Sequence, residues 1–197
     1  MVAIDRVLSA VGPPSGRVSA WRRAFGGRLE RSLVDDFEAF AHAAAPRLRR
    51  TAFLMCHDWH LAQDLTQITL AKLYVNWARV RQSGSVEAYS RKVLMNALFD
   101  HRRKRSGGEV AIPWVPDRRD PNGGSPELRV TLIQALKTLS DRDRAIVVLR
   151  YWEDQSVETV AEVLDVSVSV VKSQSLRSLA RLRELLGDNR ADLLTEA

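Results

Sequence analysis

One cysteine among 197 residues excludes an internal disulfide framework and any metal site built from several thiolates, and it suits a reducing compartment. No run approaches the roughly 18 to 20 apolar residues that a membrane span needs. The first residues, Met1 to Gly12, lack a charged start followed by an apolar core, so the chain is expected to be soluble and cytoplasmic. No segment reads as a strand, and no nucleophile, general base or cofactor loop stands out, so no catalytic residue, cofactor or metal is assigned. Acidic residues are outnumbered, 24 against 30 Lys and Arg, for a net charge of +6, which makes a polyanion the first partner to test. The length fits two small helical lobes better than one large sheet.

Punctuation divides the chain. Residues 1–32 mix Pro13, Pro14, Gly26 and Gly27 with several Arg and show no apolar period, as expected of a flexible basic extension. Residues 33–105 form a helical lobe. Phe37, Phe40 and Ala41 begin a stripe that Pro46 kinks or restarts, and Leu48, Ala52, Phe53 and Met55 continue it. A second helix is expected from His60 to Val80, with Leu61, Leu65, Ile68, Leu73 and Trp77 on its apolar face and Gln63, Asp64, Gln67 and Lys72 opposite. A third runs from Val86 to Arg105 with Tyr89, Val93 and Ala97 inward. Residues 106–126 hold four Pro and four Gly around the apolar stretch Ile112 to Pro116 and read as a flexible tether. Residues 127–187 form the second lobe, with helices over Glu127 to Leu139, Asp141 to Trp152, Val157 to Leu164 and Val168 to Leu186, N-caps at Ser140 and Ser156, and a stop at Gly187. Residues 188–197 are a tail. The expected fold is all-α, two small helical domains on a flexible linker.

The second lobe carries a helix-turn-helix spacing: Ala161 where two helices cross, Asp165 at the turn and Val171 anchoring the second helix. Asp tolerates the left-handed turn that Gly adopts more easily. With Val171, Ser175, Leu179 and Leu182 inward and Ser167 as cap, Ser169, Lys172, Ser173, Leu176 and Arg177 face out. Short polar side chains and a Lys near a helix N-terminus suit a major groove, and Arg177, Arg181 and Arg183 suit phosphates. The competing reading is a helical hairpin with a solvated basic face.

In the first lobe, the basic run His101 to Arg105 complements a helix dipole by itself. Asn96, Asp100 and Arg103 fall on one face at four- and three-residue steps, able to hydrogen-bond exposed bases while Arg91, Lys92 and Arg102 hold the backbone. Cys56, His57 and His60 cluster but fall short of the four ligands of a structural zinc site, so Cys56 reads as a small buried side chain. Trp77 reads as core, and Asp35, Asp36 and Glu38 as first-turn acids.

The segments Asp58 to Gln67 and Ser85 to Asn96 resemble the second conserved region of bacterial extracytoplasmic-function (group IV) sigma factors. Leu136 to Arg144, Leu149 to Asp154 and Val171 to Gln174 resemble their fourth region. The resemblance covers Val34 to Leu186 in order, and Lys172 to Gln174 with Leu179 to Arg183 is similar to the SigE-like actinobacterial branch. It implies a sigma subunit that directs core RNA polymerase to promoters and assists their opening. It further implies that Asp64 and Gln67 face the clamp helices of the largest subunit, and that the flap of the second-largest subunit is a further contact. Arg91, Lys92, Asn96, Asp100, Arg102 and Arg103 would serve the minus-10 element, with the loop from Val80 to Ser85 holding a flipped base. Ser169, Lys172, Ser173, Leu176, Arg177 and Arg181 would serve the minus-35 element. An anti-sigma partner is implied as a common family feature. Ile68 and Thr69 stand where many relatives carry an acidic-aromatic pair, and Gln174 where many carry Arg. A helix-turn-helix regulator binding operators alone is the alternative, separated by pulldown of core polymerase.

Overall fold

The computed structural model describes residues 28–82, 84–105 and 126–186, and among these every element is helical: α1 (Arg28–Cys56), α2 (Trp59–Val75), α3 (Trp77–Val80), α4 (Val86–Arg105), α5 (Pro126–Lys137), α6 (Asp141–Val147), a π-helical turn (Val148–Trp152), α7 (Val157–Leu164) and α8 (Val168–Leu186). The greater part of the basic extension, the tether with its Trp114 stretch, the stop at Gly187 and the tail lie outside the described residues.

The first lobe is α1 to α4. Phe37, Leu48 and Met55 of α1, Leu65 and Leu73 of α2, and Leu94, Met95 and Leu98 of α4 are buried together. Trp77 sits edge-on to Phe37 at 5.3 Å between ring centroids, a core role as its spacing implied. Four features of these helices differ from expectation. α1 starts at Arg28 rather than Leu33, and it runs unbroken through Pro46. Pro46 is exposed, so the backbone bond it cannot make lies where water replaces it. The helix expected over His60 to Val80 starts at Trp59, because the Asp58 carboxylate accepts from the amides of His60 and Leu61 at 2.8 and 3.1 Å. It also breaks at Asn76, whose side-chain amide donates to the Lys72 carbonyl at 2.9 Å. That local bond competes with the helical ladder.

Ile68, expected on the inward face of α2, is 45% exposed. The inward places beside it belong to Thr66 and Thr69, whose hydroxyls donate to the carbonyls of Ala62 and Leu65 at 2.7 and 2.8 Å. Each Thr thereby satisfies its hydroxyl within its own helix and buries its methyl group.

In the second lobe, Ser140 and Ser156 accept the amides of Asp143 and Thr159 as N-caps. Asp165 takes a left-handed conformation (φ 54°), and the Val166 amide donates back to the Ala161 carbonyl at 3.0 Å, closing α7 so that α8 can cross it. The helix expected over Asp141 to Trp152 loosens into the π turn, and the Glu153 amide donates to the Val148 carbonyl at 3.0 Å. Asp154 then reverses the chain with φ 48°. The two lobes meet: α7 packs on α4, and α6 and the π turn pack on α1. Ala145, Ile146, Leu149 and Val160 belong to the same buried cluster as the first-lobe core.

Candidate nucleic-acid interface

The turn at Asp165 aims one face of α8 outward. Ser167 caps it, accepting the Val170 amide at 3.3 Å, while Val171, Ser175, Ser178 and Leu182 anchor its buried side. Ser169, Lys172, Ser173, Leu176, Arg177 and Arg181 are all exposed, and Leu176 is the most exposed large apolar side chain among the described residues, at 77%. The Ser173 hydroxyl donates to the Val170 carbonyl at 3.2 Å, and Arg177 Nε to the Ser173 carbonyl at 3.3 Å. These weak tethers lie along the helix and are easily exchanged for an external acceptor. Beside this face, Glu158 in the first turn of α7 has its carboxyl held below the usual carboxylate range by hydrogen bonds from its own backbone amide and Ser156.

On α4, Lys92, Asn96 and Arg103 are exposed. Arg103 Nη2 bonds Asp100 Oδ1 at 2.9 Å, one turn apart on the same helix. Arg91 and Arg102, read from the sequence as holding a nucleic-acid backbone, are engaged by protein instead. Arg91 is 7% exposed and pairs through Nε with Glu153 Oε2 at 3.1 Å. Arg102 Nη2 donates to the Met55 carbonyl at 2.7 Å, and its Nη1 pairs with Asp141. Both partners on the acidic side belong to the second lobe, which sequence spacing within α4 cannot register.

The boundary between the lobes has two polar centres. Glu153, with a side chain only 3% exposed, accepts from Arg91, from the Thr51 hydroxyl and, at 3.6 Å, lies against Arg47 Nε. Arg144 is the other. Its guanidinium donates to the carbonyls of Leu136 (2.8 Å), Leu139 (3.0 Å) and Lys137 (3.3 Å) in its own lobe and of Met55 (2.8 Å) across the boundary. Burial, with Arg102 beside it, lowers its pKa to about 10, so it stays charged. The carbonyl end of α1 therefore receives two guanidinium groups, as the negative end of a helix dipole favours. Next to them His57 is buried, and neither ring nitrogen finds a partner among the described residues. Burial first, then the charges of Arg144, Lys137 and Arg102, hold its pKa down to about 3. Cys56 donates to the Asp58 carbonyl at 3.2 Å, and burial pushes its thiol up to about 11, so it is an unreactive thiol.

A separate surface lies on α2. Asp64 and Lys72 are exposed and Gln67 is half-buried, and between and beyond them stand Ile68 and Val75, 45% and 54% exposed. A mixed charged and apolar stripe of this kind fits a protein partner. Sequence reasoning located Asp64 and Gln67 but assigned Ile68 inward; the burial of Thr66 and Thr69 is what turns it out.

Two family models match. Residues 40–107 match Sigma-70 region 2 and residues 135–184 match Sigma-70, region 4. An RNA polymerase sigma-E factor of Streptomyces coelicolor is 36% identical over 156 residues, covering 78% of this chain and 87% of that protein. The ECF RNA polymerase sigma factor SigM of Mycobacterium tuberculosis is 28% identical over 192 residues, covering 89% and 94%. Among solved structures, the sigma factor RpoE of Bartonella quintana, in complex with the anti-sigma factor NepR, superposes with a TM-score of 0.67 at 26% identity, covering 77% of this chain and 96% of that one. With region 2 spanning the α2 and α4 surfaces and region 4 spanning the α8 face, the chain belongs to the sigma-70 family, as an RNA polymerase sigma factor of the extracytoplasmic-function group.

Proposed function

We propose a division of labour among the three surfaces. The α2 stripe of Asp64, Gln67, Ile68, Lys72 and Val75 docks the clamp helices of core RNA polymerase. The α4 face of Asn96, Asp100 and Arg103, with Lys92 on the backbone, reads the minus-10 element. The α8 face of Ser169, Lys172, Ser173, Leu176, Arg177 and Arg181 reads the minus-35 major groove. The observation that carries this is the α8 face itself: a capped helix behind a left-handed turn, with its polar and basic residues exposed on one side.

Promoter opening on this reading is driven by binding. Capturing an unpaired base by stacking is worth about 1 to 3 kcal/mol, against about 1.4 kcal/mol for one duplex stacking step, so a few bases held by α4 and the loop after α3 offset local melting. The domain limits 33–105 and 127–187, the cytoplasmic site of action, the flap contact and regulation by an anti-sigma protein belong to the same reading. A regulator acting without polymerase leaves the α2 stripe unexplained. Run-off transcription with purified core polymerase tests the assignment: promoter-dependent transcripts are expected with the wild-type chain. Replacing Lys172 and Arg177, or Asn96 and Arg103, with Ala should abolish them at the cognate start site. Undiminished transcripts from both double variants overturn it.

A further inference from the structure

The helix-turn-helix is divided by charge. From Glu153 to Val171 the chain has no Lys or Arg, while Asp154, Glu158, Glu162 and Asp165 are all exposed. α8 then supplies Lys172, Arg177, Arg181 and Arg183 against one acid, Glu184. The first helix of such a motif ordinarily crosses the nucleic-acid backbone, where cations are favoured. Here it presents carboxylates. Glu158, Glu162 and Asp165 recur at steps of four and three, which puts them on one side of α7 and its turn. Helix stability does not account for this stripe: like charges four residues apart repel, and although Glu158 gains from the helix dipole, Glu162, in the last turn of α7, loses by it. The stripe begins beside the reading face. α8 packs on α7, Lys172 follows the buried Val171, and beyond the hydrogen bonds from its own amide and Ser156, Glu158 feels the charges of Lys172 and Arg150.

We infer that Glu158 is a specificity-determining residue of the α8 face, acting by repelling phosphate and positioning Lys172 rather than by contacting a base, a role that rests on the minus-35 reading proposed for α8. Attraction between Lys or Arg and phosphate is blind to sequence and supplies essentially all of non-specific binding. A carboxylate beside Lys172 subtracts from that attraction. It leaves the three N–H donors of the ammonium group intact, so an acceptor on a base edge is still bound in full. In the cognate complex the same carboxylate keeps the ammonium group over the groove, a gain that offsets its repulsion of the backbone. The non-cognate complex is held by charge alone and has no such offset. Discrimination is a difference between two affinities, and it rises when the wrong complex is weakened.

The test uses the full chain to select from a pool of short DNA duplexes with a randomised centre. The unselected pool and the most enriched duplex then serve as non-cognate and cognate probes in fluorescence anisotropy over a KCl series. Glu158→Gln keeps the size of an exposed side chain and removes its charge. It is expected to bind the unselected pool about two- to fivefold more tightly at low salt, the gain fading as KCl rises, and to bind the enriched duplex no more tightly than the wild type, so that the ratio of the two affinities falls by the same factor. Glu162→Gln, one turn further on, is expected to move the ratio in the same direction by less. A residue that only stabilises α7 gives instead a weakening on both probes that follows any loss in urea unfolding. An unchanged ratio in Glu158→Gln, or such a parallel weakening, overturns the role of Glu158. Lys172→Ala separates the two readings. Loss of preference there with an unchanged ratio in Glu158→Gln leaves the α8 reading standing and removes Glu158 alone. A wild-type chain that enriches no duplex, or a Lys172→Ala chain that keeps the full preference, removes the α8 reading and the role of Glu158 with it.

Discussion

Acid should destabilise this protein through one side chain well before its carboxylates titrate. His57 is 8% exposed, and its pKa falls from 6.5 to about 3 through burial and then the charges of Arg144, Lys137 and Arg102. The folded chain therefore keeps His57 neutral while the unfolded chain takes up a proton below about pH 6.5. Since the unfolded state binds more protons there, stability is full above that pH and declines as pH falls, levelling only near pH 3. The slope in the window is about 1.4 kcal/mol per pH unit, which sums to about 2 kcal/mol between pH 7.5 and 5.0. Urea unfolding at half-unit steps over this range measures it. His57→Asn, which tolerates the left-handed conformation at this position (φ 59°), is expected to flatten the profile. A wild-type chain whose unfolding free energy is level between pH 6.5 and 5.0, or an Asn variant that keeps the full slope, refutes the account of His57 as a buried neutral base among cations.

Ile68→Arg is expected to leave thermal stability within about 0.5 kcal/mol, as a half-exposed position allows, while weakening capture of core polymerase on the order of tenfold; an unchanged pulldown titration removes α2 from the docking surface. On α8, Lys172→Ala should cost about 1 to 3 kcal/mol against the cognate minus-35 duplex and relax base preference. Arg181→Ala should weaken all sequences alike and lower the salt slope by about 1, which a fluorescence anisotropy series in KCl distinguishes. At the turn, Asp165→Val forces a β-branched residue to φ 54° and should cost about 1 to 3 kcal/mol in urea unfolding, whereas Asp165→Gly should be close to neutral.

The helices whose limits depend on local chemistry were legible. Val86–Arg105, Val157–Leu164 and Val168–Leu186 fall where periodicity, the Ser caps and the Asp165 turn place them. Features decided by how a single side chain satisfies itself, or by which face meets the core, were not. Pro46 continues α1 because its missing bond faces solvent, and Asn76 interrupts α2 because its amide finds a carbonyl one turn back. Ile68 is displaced outward because two Thr hydroxyls satisfy themselves within the helix and take the inner places. Arg91 and Arg102 show the same limit at the site. Their position on a basic helix pointed to phosphate, and the carboxylates that occupy them lie 62 and 39 residues further along the chain, beyond the reach of any spacing rule within α4.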